Sequence, residues 1–96
     1  MGVSQTLKAM SDNTRREILE LLRREGKMAA GDIAAHFDMT NATISHHLAI
    51  LKEAELISDD RKGKFIYYEI NTTVFDDLLQ WIVSMTKGDD PLEPNK

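Results

Sequence analysis

The sequence predicts a small, mainly α-helical domain with one β-hairpin. Three observations point to it: two short helical segments about three residues apart, a change of period from helical to β-branched and aromatic after Ile57, and a last apolar helix with more greasy surface than the chain can cover. The 96 residues are enough for one core with little margin. With 42% hydrophobic and 29% charged residues, the chain has the balance of a folded domain.

A first amphipathic segment runs from Val3 to Met10. The cluster Ser11-Asp12-Asn13 follows, whose short polar side chains suit the exposed N–H groups of a helix start. Ile18, Leu19, Leu21 and Leu22 then fall at helical spacing, with Arg15, Arg16, Glu20, Arg23 and Arg24 on the other faces, until Gly26 stops the helix. This places the second helix over Asn13 to Glu25. A third, short helix is expected from Ala30 to Phe37, with Ile33, Ala34 and Phe37 inward. Thr40 caps a fourth, continuing to about Ala54 and burying Ile44, Leu48 and Leu51.

Arg61-Lys62-Gly63-Lys64 reads as a turn and Phe65 to Ile70 as a strand, together a hairpin or wing. Asn71-Thr72-Thr73 opens the last helix, carrying Val74, Phe75, Leu78, Leu79, Trp81, Ile82, Val83 and Met85. The expected organisation is one winged helix-turn-helix domain over residues 1–86, in the order α-α-α-α-β-β-α, and a flexible acidic tail over 87–96.

Several functions fall away on composition. The chain has no cysteine, so thiolate metal sites, disulfides and thiol nucleophiles are excluded. No apolar run reaches the ~20 residues of a membrane span and no signal-peptide pattern opens the chain, which fits a cytoplasmic protein. The pairs Asp59-Asp60 and Asp89-Asp90 have no pocket-forming context, so no enzyme is expected.

The net charge of −4 argues against a nucleic-acid partner, but local charge is what meets phosphates. From Thr40 to Leu51 no carboxylate appears, in a chain with 16 Asp and Glu. Thr40, Asn41, Ala42, Thr43, Ser45, His46 and His47 offer the short polar and methyl groups that contact bases and phosphates. His47, three residues after Ile44, is equally placed to be half-buried and hydrogen-bonded. Arg61, Lys62 and Lys64 would hold a neighbouring groove or the backbone, while a solvated hairpin tip is the plainer alternative. Arg15 either touches phosphate or is held internally, and for Arg16 the internal role leads. Double-stranded DNA is thus the expected partner, with a winged helix used only for protein contact as the alternative.

Three segments in this order resemble the ArsR/SmtB family of bacterial repressors: Ser11 to Leu19, Ile44-Ser45-His46-His47-Leu48 with Leu51-Lys52-Glu53-Ala54, and the Tyr67-Tyr68 strand. Ala54 to Asp59 and Arg61 to Tyr68 are similar to the SdpR-like autorepressors of that family. The resemblance implies an autoregulatory repressor binding an inverted-repeat operator as a homodimer joined through the first and last helices. Leu7, Met10, Phe75, Leu78, Leu79, Ile82 and Met85 would line that joint, which accounts for the surplus apolar face. Asn13 stands where the family usually has proline. Glu55 stands where it usually has glycine, which leaves the turn after the fourth helix open.

Metal-sensing relatives use cysteines near the third helix or Asp/His pairs on the last. Here the last helix has Asp76 and Asp77, expected as a solvated pair at the helix start, and no histidine, so no metal or other cofactor is expected. Release from DNA would then rest on another protein, a sequestering membrane protein among the candidates, or on repressor concentration.

Overall fold

The structure is a computed structural model that describes residues 2–87. Its elements are α1 (Val3–Ala9), α2 (Asn13–Glu25), β1 (Met28–Ala29), α3 (Ala30–Ala34), α4 (Asn41–Glu53), β2 (Ile57–Lys62), β3 (Phe65–Ile70) and α5 (Thr72–Lys87). Both long helices before the hairpin begin on side-chain caps. The Asp12 carboxylate accepts the Arg15 N–H at 3.0 Å, and the Thr40 hydroxyl accepts the Thr43 N–H at 3.1 Å. Gly26 ends α2 at φ 82°, which side chains rarely adopt.

The core forms where these helices cross the sheet. Ile18 and Leu22 of α2, Ile33 of α3, Ile44 and Leu51 of α4, and Leu56 are all below 2% exposed. α5 joins through Val74 and Leu78, the latter beside Val3 and Thr6 of α1.

Four details differ from the sequence reading. The third helix ends at Ala34 rather than Phe37, because the chain tightens into turns in which His36 and Phe37 donate to Ile33 and Ala34, three residues back. Phe37 nonetheless packs half-buried on the core. The hairpin belongs to a three-stranded antiparallel sheet of order β1-β3-β2, since Met28 and Ala29 pair with Tyr68 and Tyr67.

The turn is confined to Gly63-Lys64, and Arg61 and Lys62 sit on β2 opposite Ile66 and Phe65. Gly63 at φ 62° supplies the positive angle that a two-residue hairpin needs at its first central position. Asp76 and Asp77 are exposed but lie in the second turn of α5, which starts at Thr72. The expected tail, 87–96, lies outside the described residues except Lys87, which is helical.

The open turn after α4 has a defined geometry. Glu55 adopts φ 62°, its N–H donates to Lys52 O at 2.9 Å, and Leu56 N–H donates to Leu51 O at 3.0 Å. This is the Schellman closure, sealed by the buried Leu51 and Leu56. A left-handed conformation strains an L residue, so Glu55→Gly should stabilise the chain by about 1 kcal/mol. Thermal unfolding checks this, with an expected rise in Tm of roughly 4–8 °C.

Candidate nucleic-acid interface

α4 is fixed by its buried stripe, with Ile44, Leu48 and Leu51 at 1%, 2% and 0% exposure. The opposite face presents Asn41, Ala42, Thr43, Ser45, His46 and Ala49 to solvent, with no carboxylate among them. The Thr40 hydroxyl is engaged as the cap and lies 2.9 Å from the Thr43 hydroxyl. Among the described residues the side chains of Asn41 and Ser45 have no hydrogen-bond partner, and the His46 ring meets only the His47 ring, 6.1 Å away between centroids. This face is therefore a set of unspent donors and acceptors on a rigid support.

His47 points elsewhere. Its side chain is only 12% exposed, and Nδ1 lies 3.2 Å from the Arg15 guanidinium and 3.8 Å from the Asp12 carboxylate. The Arg15 N–H holds the Asp12 carboxyl below the usual carboxylate range, against the opposing effect of desolvation and with added help from the Arg15 guanidinium. Arg15 itself is engaged internally, its Nε donating to Ala9 O at 2.6 Å. Arg16 likewise donates to Met10 O at 2.7 Å. Sequence reasoning saw each side chain but not this meeting across 32 residues.

The wing carries both signs of charge, and pairing sorts them. Lys27 and Lys52, from outside the hairpin, hold Asp60 at 2.9 Å and Asp59 at 2.8 Å. Lys27 also keeps the Asp60 carboxyl below its usual range, chiefly through that hydrogen bond. Lys62 adds a looser contact to Asp60 at 3.6 Å. Lys64 stands 5.7 Å from the Phe65 ring centre, and among the described residues neither it nor Arg61 has an ion-pair partner. The two carboxylates that would repel DNA are thus neutralised while Arg61 and Lys64 remain available. Phe65, 52% exposed at the wing tip, was not among the expected contacts.

The residues expected to join two copies divide into two sets. Leu7, Leu79, Ile82 and Met85 are exposed, between 42% and 64%. Met10 and Phe75 are half-buried against the core, and Leu78 is 8% exposed and serves the core of its own chain. Among the described residues no three His, Asp or Glu side chains are grouped to hold a metal ion.

Comparison with known proteins agrees with this geometry. A family model described as "Bacterial regulatory protein, arsR family" matches residues 12–59. The "Transcriptional repressor SdpR" of Bacillus subtilis (strain 168) is 55% identical over 91 residues, 94% of this chain and 100% of that protein. The solution structure of a homodimeric winged helix-turn-helix DNA-binding domain from Mycobacterium bovis superposes with TM-score 0.71 at 29% identity, covering 98% of this chain and 84% of that one. The crystal structure of an ArsR family transcriptional regulator shares the fold, with TM-score 0.82 at 24% identity over 88% of this chain and 87% of that one.

Proposed function

The chain belongs to the arsR family of bacterial regulatory proteins and is a DNA-binding transcriptional repressor of that family; from this premise we propose that it acts as a homodimer on an inverted-repeat operator in its own promoter, without sensing metal. The observation that carries this reading is the outer face of α4. Among the described residues the side chains of Asn41, Ser45 and His46 have no hydrogen-bond partner, and they stand on a carboxylate-free face of a helix held by three buried residues. That face suits the major groove, where such side chains read base edges, and the wing bearing Arg61, Lys62 and Lys64 suits the adjoining backbone.

The homodimer is supported by the exposed Leu7, Leu79, Ile82 and Met85, and by the homodimeric state of the Mycobacterium bovis domain. Two reading helices about 34 Å apart require half-sites about 10 base pairs apart, or a multiple. The absence of cysteine from the sequence supports control without thiolate metal ligands. Release then depends on a partner protein, membrane-bound or otherwise, or on repressor concentration. The protein works in the cytoplasm, where its DNA lies, and no described helix is long and apolar enough to cross a membrane.

An electrophoretic mobility shift with the chain's own promoter at about 100 mM salt, with non-specific competitor, tests the proposal. We expect a sequence-dependent shift that weakens steeply with salt. A shift indifferent to sequence would overturn the operator reading and favour a winged helix used for protein contact.

A further inference from the structure

We propose that Arg15 is a positioning residue for the reading helix: its guanidinium ties the end of α1 to His47 of α4 and fixes the rotation at which Ser45 and His46 are presented. The proposal rests on the DNA-binding reading above, and it assigns Arg15 and His47 a shared role in place of two separate DNA contacts.

Arg15 sits in the first turn of α2 and reaches in two directions. Towards α1, Nε donates to Ala9 O at 2.6 Å and a terminal nitrogen donates to Lys8 O at 3.4 Å. Ala9 O is one of the carbonyls that a helix C-terminus leaves without an intrahelical partner, while Lys8 O also accepts from the Ser11 N–H and hydroxyl. Towards α4, the other terminal nitrogen lies 3.2 Å from His47 Nδ1.

A guanidinium donates and cannot accept, so Nδ1 must be the acceptor in this contact. The ring in the clamp is therefore neutral and carries its proton on Nε2, the nitrogen on the far side from the guanidinium. Asp12, whose carboxylate is 3.8 Å from Nδ1, supplies negative charge beside the cation.

The contact matters because the buried seat of α4 is apolar. Ile44, Leu48 and Leu51 hold the helix down and set its inward face, but non-directional burial defines the rotation only to within the play of those side chains. Hydrogen bonds are directional. α4 is gripped at two points, by Arg15 of α2 at His47 near the middle and by Gln5 of α1, whose side-chain nitrogen donates to Glu53 O at 3.4 Å, near the end. His47 directly follows His46 and lies two residues from Ser45, so a slip at the clamp re-aims the reading face.

The test measures binding of fluorescently labelled promoter fragment and of random duplex across a range of salt, with melting curves for each variant. We expect Arg15→Met to weaken promoter binding about tenfold while leaving random-duplex binding and the salt slope unchanged. His47→Leu should lose as much, and the double variant no more than either alone, because both remove one link. His47→Asn, which places a carbonyl oxygen near the Nδ1 position, should restore most of the preference. A general loss of folded protein would instead weaken both DNAs equally. Should Arg15→Met fail to fold, the two His47 variants decide the matter, since they leave the bonds from Arg15 to α1 intact.

Nitrogen-15 spectra of labelled histidine should show His47 in the Nε2–H form. Additive losses, intact promoter binding in His47→Leu, or an Nδ1–H ring would overturn the clamp. So would a salt slope reduced by about 0.9 per protomer in Arg15→Met, the mark of a direct phosphate contact. Failure of the wild type to prefer its promoter would overturn the operator reading itself.

Discussion

Ser45→Ala combined with His46→Ala is expected to abolish the preference for operator over random DNA. Both side chains are exposed on α4 and free of hydrogen-bond partners among the described residues, so their polar groups are unspent until DNA arrives. A specific base contact is worth about 1–3 kcal/mol. Two such contacts in each of two protomers, at the low end of that range, give about 4 kcal/mol or a thousandfold loss. The fold should not suffer, because the helix is seated by Ile44, Leu48 and Leu51 and alanine is the better helix former. Mobility shifts and melting curves on the same preparations separate the outcomes. Loss of folding would mean that these residues support the structure, and an unchanged preference would place the reading surface elsewhere.

Leu79→Asp with Ile82→Asp should convert a dimer to a monomer and weaken operator binding by about 10²–10⁴-fold. When two protomers are joined, the second half-site is engaged from an effective concentration set by the first, and a monomer loses that gain. Leu79 and Ile82 are 55% and 43% exposed, so charging them leaves the chain's own core alone. Leu78→Asp would be a poor substitute, because Leu78 is buried in its own chain and an unpaired carboxylate there opposes folding. Sedimentation at micromolar concentration reads the assembly state. A monomeric wild type would contradict the proposed homodimer.

Much of this architecture was legible in the sequence, for identifiable reasons. α2 has strong apolar periodicity and α4 a regular stripe of Ile44, Leu48 and Leu51, each beginning on an explicit signal: Asp12, with Gly26 at the end, for one and Thr40 for the other. The outward face of α4 was legible because Ile44, Leu48 and Leu51 fix the inward one. What escaped depends on short or distant contacts. β1 has two residues, too few for a period, and exists because β3 offers Tyr67 and Tyr68 as partners. The Lys27–Asp60 and Arg15–His47 meetings join residues more than thirty positions apart, and local pattern holds no record of them. Leu78 looked like its neighbours on an apolar helix, and only the packing of α5 beside α1 shows which side it serves.

The division of α5 between two surfaces limits how such a repressor can diverge. Val74 and Leu78 answer to the chain's own fold, whereas Leu79, Ile82 and Met85 face outward. In the proposed homodimer, sister chains left by a gene duplication could acquire incompatible pairing surfaces by changing the second group alone, each keeping its fold and its reading helix. Mixed pairs would then be lost before either copy changed the sequence it recognises. With pairing placed on α5 as proposed, one helix would let a lineage of repressors separate its members by whom they pair with, without first altering what they bind.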